Sequence, residues 1–62
     1  MRVIFRGRER EVEGPIKAGD LLKLLGLLPE TAVVLKNGEP VTEDEVLEEG
    51  DDVRVISAIS GG

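Results

Sequence analysis

The feature that most constrains this 62-residue chain is that it contains neither cysteine nor histidine. Domains this small usually need disulfides or a structural metal, and a Cys/His zinc site or a disulfide cannot form here. A chain of this length buries only about 60% of its unfolded surface, so its core is small. Apolar packing has to stabilise the fold, and the 40% hydrophobic content suffices for a single domain over residues 1–62.

Apolar residues alternate with polar ones at the start of the chain, which predicts a strand there. In MRVIFR we expect Val3 and Phe5 to point into the core and Ile4 to point outward. GRER is predicted to turn the chain, and REVEG to form a second short strand that ends before Pro15.

Three further strands are predicted in the second half of the chain. They are TAVVLK, EPV and DVRVISAI, and Asn37-Gly38 predicts a hairpin between the first two. In the last of them Val53 and Val55 are predicted to point inward, with Arg54, Ile56 and Ala58 outward.

One helix is predicted between the second and third strands. Its core face is expected to contain four leucines spaced i, i+3, i+4 and i+7, namely Leu21, Leu24, Leu25 and Leu28. Asp20 is the expected N-cap and Pro29 blocks the helix further on. The run TEDEVLEEGDD, with Val46 and Leu47 as its only apolar anchors, is interpreted as a solvated acidic loop, with a contact surface for a basic partner as the alternative.

The residue types present exclude most catalytic and metal chemistry. A His-based triad, a thiolate nucleophile and a Cys/His zinc site are impossible, and Ser57 and Ser60 have no obvious base. We therefore predict no catalytic residue and no metal site. Residues 32–62 contain two basic and eight acidic groups, and the whole chain has one aromatic residue, Phe5. Nucleic-acid binding is disfavoured for these reasons, and a basic protein partner is favoured.

The sequence also bears on location and source. No apolar run is long enough to cross a membrane, and no signal peptide follows Met1, so a cytoplasmic protein that is monomeric alone is predicted. A 34% share of charged residues with no Cys or Gln leans towards a thermophilic source.

The last predicted strand is followed directly by the pair Gly61-Gly62. We expect a flexible tail over about residues 60–62 that carries an ionised carboxylate. Glycines have no Cβ, so such a tail can enter a narrow channel of another protein. Its carboxylate could attack the α-phosphate of a nucleotide and form an acyl-adenylate. A frayed end without a role is the alternative.

Over its whole length the sequence resembles the ubiquitin-like sulfur carriers of the ThiS and MoaD family and the related small archaeal modifier proteins. The matching segments are MRVIF, LLKLLGL followed by PE, AVVLKNG, EEGDDV and AISGG. The resemblance implies an α+β fold of the β-grasp type, with a five-stranded mixed sheet of order 2-1-5-3-4 packed on one helix. Unlike many members, which end in AGG, this chain has Ser60 before the diglycine.

The resemblance also implies a function. An E1-like adenylating enzyme would use ATP to activate Gly62, with Gly61 as its spacer, and the chain itself would bind no cofactor. A sulfurtransferase would supply persulfide sulfur to make a thiocarboxylate. That sulfur would pass to the thiamine thiazole, to molybdopterin or to a thiolated tRNA base. Two alternatives stay open: a protein modifier joined to lysines through Gly62, and a β-grasp interaction domain with an inert tail.

The implied sheet order places outward apolar residues in one patch beside the tail. We expect Ile4, Val34, Ile56 and Ala58 to form this patch and to dock the activating enzyme, while Arg54 and the acidic loop set its orientation. Ile59 and Ser60 complete the predicted partner-binding set. Scattered surface hydrophobes are the alternative. Self-conjugation at Lys17, Lys23 or Lys36 is not expected.

Overall fold

The computed structural model describes residues 1–57, so the predicted tail and Ala58 lie outside the described residues. Seven strands and one helix follow each other along this part of the chain. They are β1 (Arg2–Phe5), β2 (Arg8–Glu11), β3 (Ile16–Lys17), α1 (Ala18–Leu24), β4 (Ala32–Lys36), β5 (Glu39–Val41), β6 (Val46–Leu47) and β7 (Val53–Ser57).

Five of these strands form one mixed sheet in the order β2-β1-β7-β4-β5. The central pair, β1 and β7, is parallel, and the other pairs are antiparallel. Counted within this sheet alone, the order is 2-1-5-3-4, which confirms the predicted β-grasp topology. The remaining strands, β3 and β6, form a separate two-stranded sheet that was not predicted.

Both hairpins of the main sheet turn through two residues with positive φ, as type I′ turns do. Asn37 and Gly38 have φ of 52° and 87°, as the Asn-Gly signal predicted. Arg6 and Gly7 have φ of 54° and 72°, so the first turn comes earlier than GRER suggested. β2 accordingly spans Arg8–Glu11 instead of REVEG. The Arg6 guanidinium lies 5.1 Å from the centre of the Phe5 ring, a favourable cation–π distance.

Helix α1 begins without a side-chain cap. Asp20 was predicted to be the N-cap, but the capping residue is Lys17 and Asp20 lies in the first turn. The amides of Ala18 and Gly19 donate instead to the carbonyl oxygens of Glu45 and Glu43, at 2.8 and 2.9 Å. These backbone carbonyls replace the usual Ser or Asp cap, since they satisfy donors that a helix leaves free at its start.

The same helix ends in a Schellman motif at a glycine. Gly26 has φ of 77° and donates to the Lys23 carbonyl at 3.0 Å, and Leu27 donates to the Leu22 carbonyl at 2.8 Å. Leu21 and Leu22 are buried, but Leu24 and Leu28 are each 59% exposed. The prediction of Leu24 and Leu28 as core residues is therefore wrong. The chain leaves the helix before Leu28, and Leu24 faces away from the sheet.

The segment predicted as a solvated acidic loop supplies one wall of the core. Within it, Leu47 is completely buried, and β6 pairs with β3 through the register Ile16–Leu47 and Lys17–Val46. Gly19 allows this segment to approach α1, because a Cβ there would lie 3.0 Å from the Cβ of Glu43. The core contains Met1, Val3, Phe5, Val12, Ala18, Leu21, Leu22, Ala32, Val34, Leu47, Val53 and Val55.

The α-ammonium group of Met1 is held inside the fold. It donates to the carbonyl oxygen of Val12 at 2.6 Å and to Glu49 Oε1 at 2.8 Å, and Glu11 Oε2 lies 3.3 Å away. The hydrogen bond that this ammonium donates to Glu49 raises its pKa, against a smaller opposing effect of burial. In turn the ammonium, followed by the amide of Gly14 at 2.9 Å, lowers the pKa of Glu49.

We expect Leu47→Ala to lower the free energy of unfolding by about 2–5 kcal/mol, because it opens a cavity in a fully buried site. The matched variant Leu28→Ala should change it by no more than about 0.5 kcal/mol, because Leu28 is mostly exposed. Urea unfolding followed by circular dichroism measures both. Equal losses in the two variants would contradict the placement of residues 46–47 in the core.

The contact between the Met1 ammonium and Glu49 predicts a pH dependence of stability. The raised ammonium pKa contributes stability below its ordinary pKa of about 8, and this is lost as pH rises through the folded value. The lowered Glu49 pKa contributes stability above about pH 4.3, and this is lost as pH falls. The urea midpoint should therefore be highest between about pH 5 and 8 and fall on both sides.

Glu49→Gln should reduce both pH-dependent losses, because it removes the carboxylate shared by the ammonium and Gly14. Glu13→Gln is the matched control, since Glu13 is exposed. A pH profile in Glu49→Gln identical to the wild-type profile would refute a role for this contact.

Candidate functional site

Strand β7 lies at the centre of the main sheet and leads directly to residues 58–62. It pairs with β1 on one side and β4 on the other. Val53 and Val55 point into the core as predicted, and Arg54 and Ile56 are exposed on the opposite face, away from α1. Ser57, the last residue that the structure describes, therefore lies on the central strand of the sheet.

The face of the sheet that α1 does not cover has an apolar strip along β7. Strand register places Ile4 and Leu35 on either side of Arg54, and Val33 opposite Ile56. Val33 is 43% exposed and Ile56 54% exposed, while Ile4 and Leu35 are half-buried. We define these four residues, Ile4, Val33, Leu35 and Ile56, as the outer strip.

Val34 does not belong to this surface, so its predicted outward position is wrong. Its side chain is 2% exposed and faces Val55 across β4 and β7. In AVVLK the two adjacent valines leave the phase of the alternation undetermined, and pairing with β7 fixes it. Val33 and Leu35 are the outward residues that the sequence analysis missed. Ala32 shares the phase of Val34 and also points inward, but nothing in the local sequence identifies that phase.

Arg54 is the charged group within the outer strip. Its Nε lies 3.6 Å from Asp52 Oδ1, and both side chains are about 60% exposed. An exposed pair of this kind contributes little to stability, so Arg54 remains available for an incoming carboxylate. Ile4, Arg54 and Ile56 are thus brought together as predicted. The predicted contact residues Ala58, Ile59 and Ser60, and the pair Gly61-Gly62, lie outside the described residues.

Asp51 and Asp52, in the acidic segment before β7, form hydrogen bonds within the molecule. Asp51 accepts hydrogen bonds from the amide of Glu48 at 2.8 Å and from Asn37 Nδ2 at 3.3 Å, and these contacts, the first most strongly, lower its pKa. Asn37 also exchanges backbone and side-chain bonds with Asp52 at 2.7 and 2.9 Å. These contacts fix the segment against the β4–β5 turn and so position the start of β7.

Lys36 is held by the same segment. Its ammonium lies 3.2 Å from Glu45 Oε2, 3.1 Å from the Val46 carbonyl oxygen and 3.8 Å from Asp51 Oδ2. The hydrogen bond to Glu45 raises the pKa of Lys36, which makes it a poor nucleophile. Lys17 and Lys23, in contrast, are exposed.

Two structural features are absent from residues 1–57. Within that range, the His, Cys, Asp and Glu side chains form no group that could hold a metal ion. No helix of this part of the chain is long and apolar enough to span a membrane.

A family model shows which proteins share this sequence pattern. The model described as small archaeal modifier protein 2 matches residues 3–59. The sulfur carrier protein TtuB of Thermus thermophilus is 50% identical over the full length of both chains. An uncharacterized protein of Archaeoglobus fulgidus is 46% identical over 87% of this chain and 78% of its own length.

Solved structures with the same fold come from the same group of proteins. The thiamine biosynthesis protein ThiS of Geobacter metallireducens superimposes with a TM-score of 0.66 at 25% identity over all of both chains. SAMP1 of Haloferax volcanii superimposes with a TM-score of 0.63 at 22% identity, over 98% of this chain and 97% of its own. The chain therefore belongs to the small archaeal modifier protein 2 family, among the ubiquitin-like β-grasp proteins that resemble ThiS and MoaD.

Proposed function

We propose that this chain is a ubiquitin-like sulfur carrier, activated at Gly62 by a partner enzyme. The observation that carries the proposal is the 50% identity to TtuB, a protein named as a sulfur carrier, over the full length of both chains. The sequence AISGG directly after β7 supplies the carboxylate that this function needs. The chain acts as a co-substrate, and the chemistry is performed by its partners.

The first step is formation of an acyl-adenylate. An oxygen of the Gly62 carboxylate attacks the α-phosphorus of ATP in the active site of an E1-like enzyme, and pyrophosphate leaves. ATP is bound by that enzyme and not by the carrier. Gly61 and Gly62 suit this step because they have no Cβ to obstruct a narrow channel and tolerate a wide range of φ.

In the second step sulfur replaces the adenylate. A persulfide on a sulfurtransferase attacks the acyl carbon and displaces AMP, which forms an acyl disulfide. A second thiol of the partner then cleaves the S–S bond, leaving the thiocarboxylate on Gly62 and a disulfide on the partner. The final sulfur acceptor is the thiamine thiazole, molybdopterin or a tRNA base. Adenylation and thiocarboxylate formation at Gly62 would be the same for all three.

The outer strip is the proposed docking surface for the activating enzyme. Ile4, Val33, Leu35 and Ile56 offer an apolar centre beside the exit of β7, and Arg54 within it can pair with an acidic group of the enzyme. Ala58, Ile59 and Ser60 connect this surface to the reactive end and are proposed to follow the enzyme channel. Binding energy at the strip would position Gly62 without any contact to the reacting atoms.

Conjugation to proteins is the second candidate function. It is favoured by the match to a family of modifier proteins over residues 3–59. Activation would be the same, but a target lysine would attack the adenylate or a derived thioester and form an isopeptide bond. We propose that either reaction takes place in the cytoplasm and that the free carrier is monomeric.

Removal of Gly61-Gly62 should abolish adenylate formation and leave the fold unchanged. The reason is that the pair carries the reacting carboxylate, whereas β7 ends at Ser57 and the described core extends no further along the chain than Val55. ATP–pyrophosphate exchange with the host's adenylating enzyme measures activation, and thermal unfolding measures the fold. Glu30→Gln, which alters an exposed residue, is the control. Full exchange activity in the truncated chain would mean that the tail is inert.

Ile56→Asp should lower kcat/KM for adenylation roughly tenfold, because an apolar anchor at an interface contributes more than about 1 kcal/mol. Its stability should change little, because Ile56 is exposed in the free protein. Leu24→Asp is the matched control: Leu24 is equally apolar and similarly exposed, and it lies on α1, on the other side of the sheet from Ile56. If both variants are activated at the wild-type rate, the outer strip does not dock the enzyme.

A further inference from the structure

Strand β2 is a free edge of the main sheet, and its sequence is RERE. All four of its residues are exposed, and within residues 1–57 it pairs with β1 alone. The opposite edge, β5, contains Pro40, which has no N–H to offer to another strand. Of the two edge strands, β2 is therefore the one in which every residue has a backbone N–H.

The backbone of β2 presents bonding groups outward at two residues. Met1 and Val12 exchange bonds of 2.6 and 2.9 Å across the start of the β1–β2 pair. In an antiparallel pair such bonded residues alternate with non-bonded ones, so Arg10 and Arg8 also face β1. The N–H and C=O groups of Glu9 and Glu11 consequently point to the free edge.

The side chains of β2 divide their charges between the two faces of the sheet. Arg8 and Arg10 stand opposite Phe5 and Val3, on the face that packs against α1. Glu9 stands opposite Ile4 on the outer face, where it forms an ion pair of 2.9 Å with Arg2. No ion pair joins Arg8 or Arg10 to another residue of the described range, so both guanidinium groups can meet an incoming carboxylate.

This arrangement disfavours a dimer formed by two β2 edges. A closed pair of edges needs a twofold axis perpendicular to the sheet, which makes the strands antiparallel and keeps each face on its own side. Facing residues must share a face, so the registers centred on Glu9 or Arg10 set arginine against arginine and glutamate against glutamate. Two β2 strands could also pair in parallel, about a twofold axis that lies in the sheet along the strands. Each residue would then stand beside its own copy with the two side chains on opposite faces, whereas neighbouring residues of a pleated sheet point to the same face.

A strand that complements β2 must have acidic side chains where β2 has arginine and basic side chains where β2 has glutamate. We propose that the free edge of β2 binds an extended segment of a partner protein in which acidic residues, facing Arg8 and Arg10, alternate with basic residues facing Glu9 and Glu11. The same charge pattern rejects a second copy of this chain. The binding groups of this edge belong to β2 and include no residue of the outer strip and not Gly62, so the proposal does not depend on the proposed function.

The direct test uses a synthetic peptide as the probe. Acetyl-Thr-Lys-Glu-Lys-Glu-Thr-amide, paired antiparallel, places each charge opposite its complement on β2. Its isomer acetyl-Thr-Lys-Lys-Glu-Glu-Thr-amide has the same composition and mismatches the two central positions. In an NMR titration of the isotope-labelled protein, the first peptide should shift the amide signals of Glu9 and Glu11. It should bind at least about fivefold more tightly than the isomer, and Arg8→Glu/Arg10→Glu should remove this preference.

A second variant tests the rejection of a second copy. In Glu9→Thr/Arg10→Glu, a twofold axis at position 9 places Arg8 of each copy opposite the new carboxylate at position 10 of the other. This variant should dimerise in sedimentation equilibrium at a concentration where the wild type and Glu9→Thr remain monomeric. Circular dichroism checks that each variant is folded.

Three results would overturn the proposal. They are the absence of shifts at Glu9 and Glu11, equal binding of the two peptides, and a double variant that stays monomeric at every concentration tested. The first of these would mean that the charges of β2 serve only to prevent other strands from pairing with this edge. None of the three measurements involves Gly62, so a failure here leaves the sulfur-carrier proposal standing, and the reverse also holds.

Discussion

The parallel pairing of β1 with β7 is the interaction on which the rest of this structure depends. It buries Val3 against Val53 and Phe5 beside Val55, and it brings together strands from opposite ends of the chain. Parallel neighbours cannot be joined by a tight turn, so a long connection lies between them, and its helix α1 covers one face of the sheet. The helix, β4, β5 and the short β3–β6 sheet are that connection, and the core is what they enclose.

Much of this could be predicted from the sequence, because several signals depend only on neighbouring residues. The alternation around Val3, Phe5, Val53 and Val55 gave the inward faces of the two central strands, and Asn37-Gly38 marked its hairpin. The sheet order was implied by the resemblance to the sulfur carriers and agrees with the observed pairing. At the candidate site, the outward positions of Ile4, Arg54 and Ile56 followed from the same alternation.

What could not be predicted depends on contacts between distant segments. The carbonyl groups of Glu43 and Glu45 cap α1, so the local signal at Asp20 gave the wrong helix start. Leu47 was expected to anchor its segment, but its place in a strand, β6, depends on pairing with β3 and has no local signal. Val33 and Val34 are equivalent by local pattern, and only the register with β7 determines which one is buried. A helical repeat that includes Leu28 is misleading once Gly26 has ended the helix.

The buried ammonium group of Met1 restricts where a covalent label can be attached to this protein. A fusion partner joined before Met1 converts the ammonium into an amide with a single N–H and no charge, which cannot serve both Val12 and Glu49. A tag joined after Gly62 consumes the carboxylate on which the proposed activation depends. A reporter is therefore better attached to an exposed side chain such as Lys23, on the surface of α1.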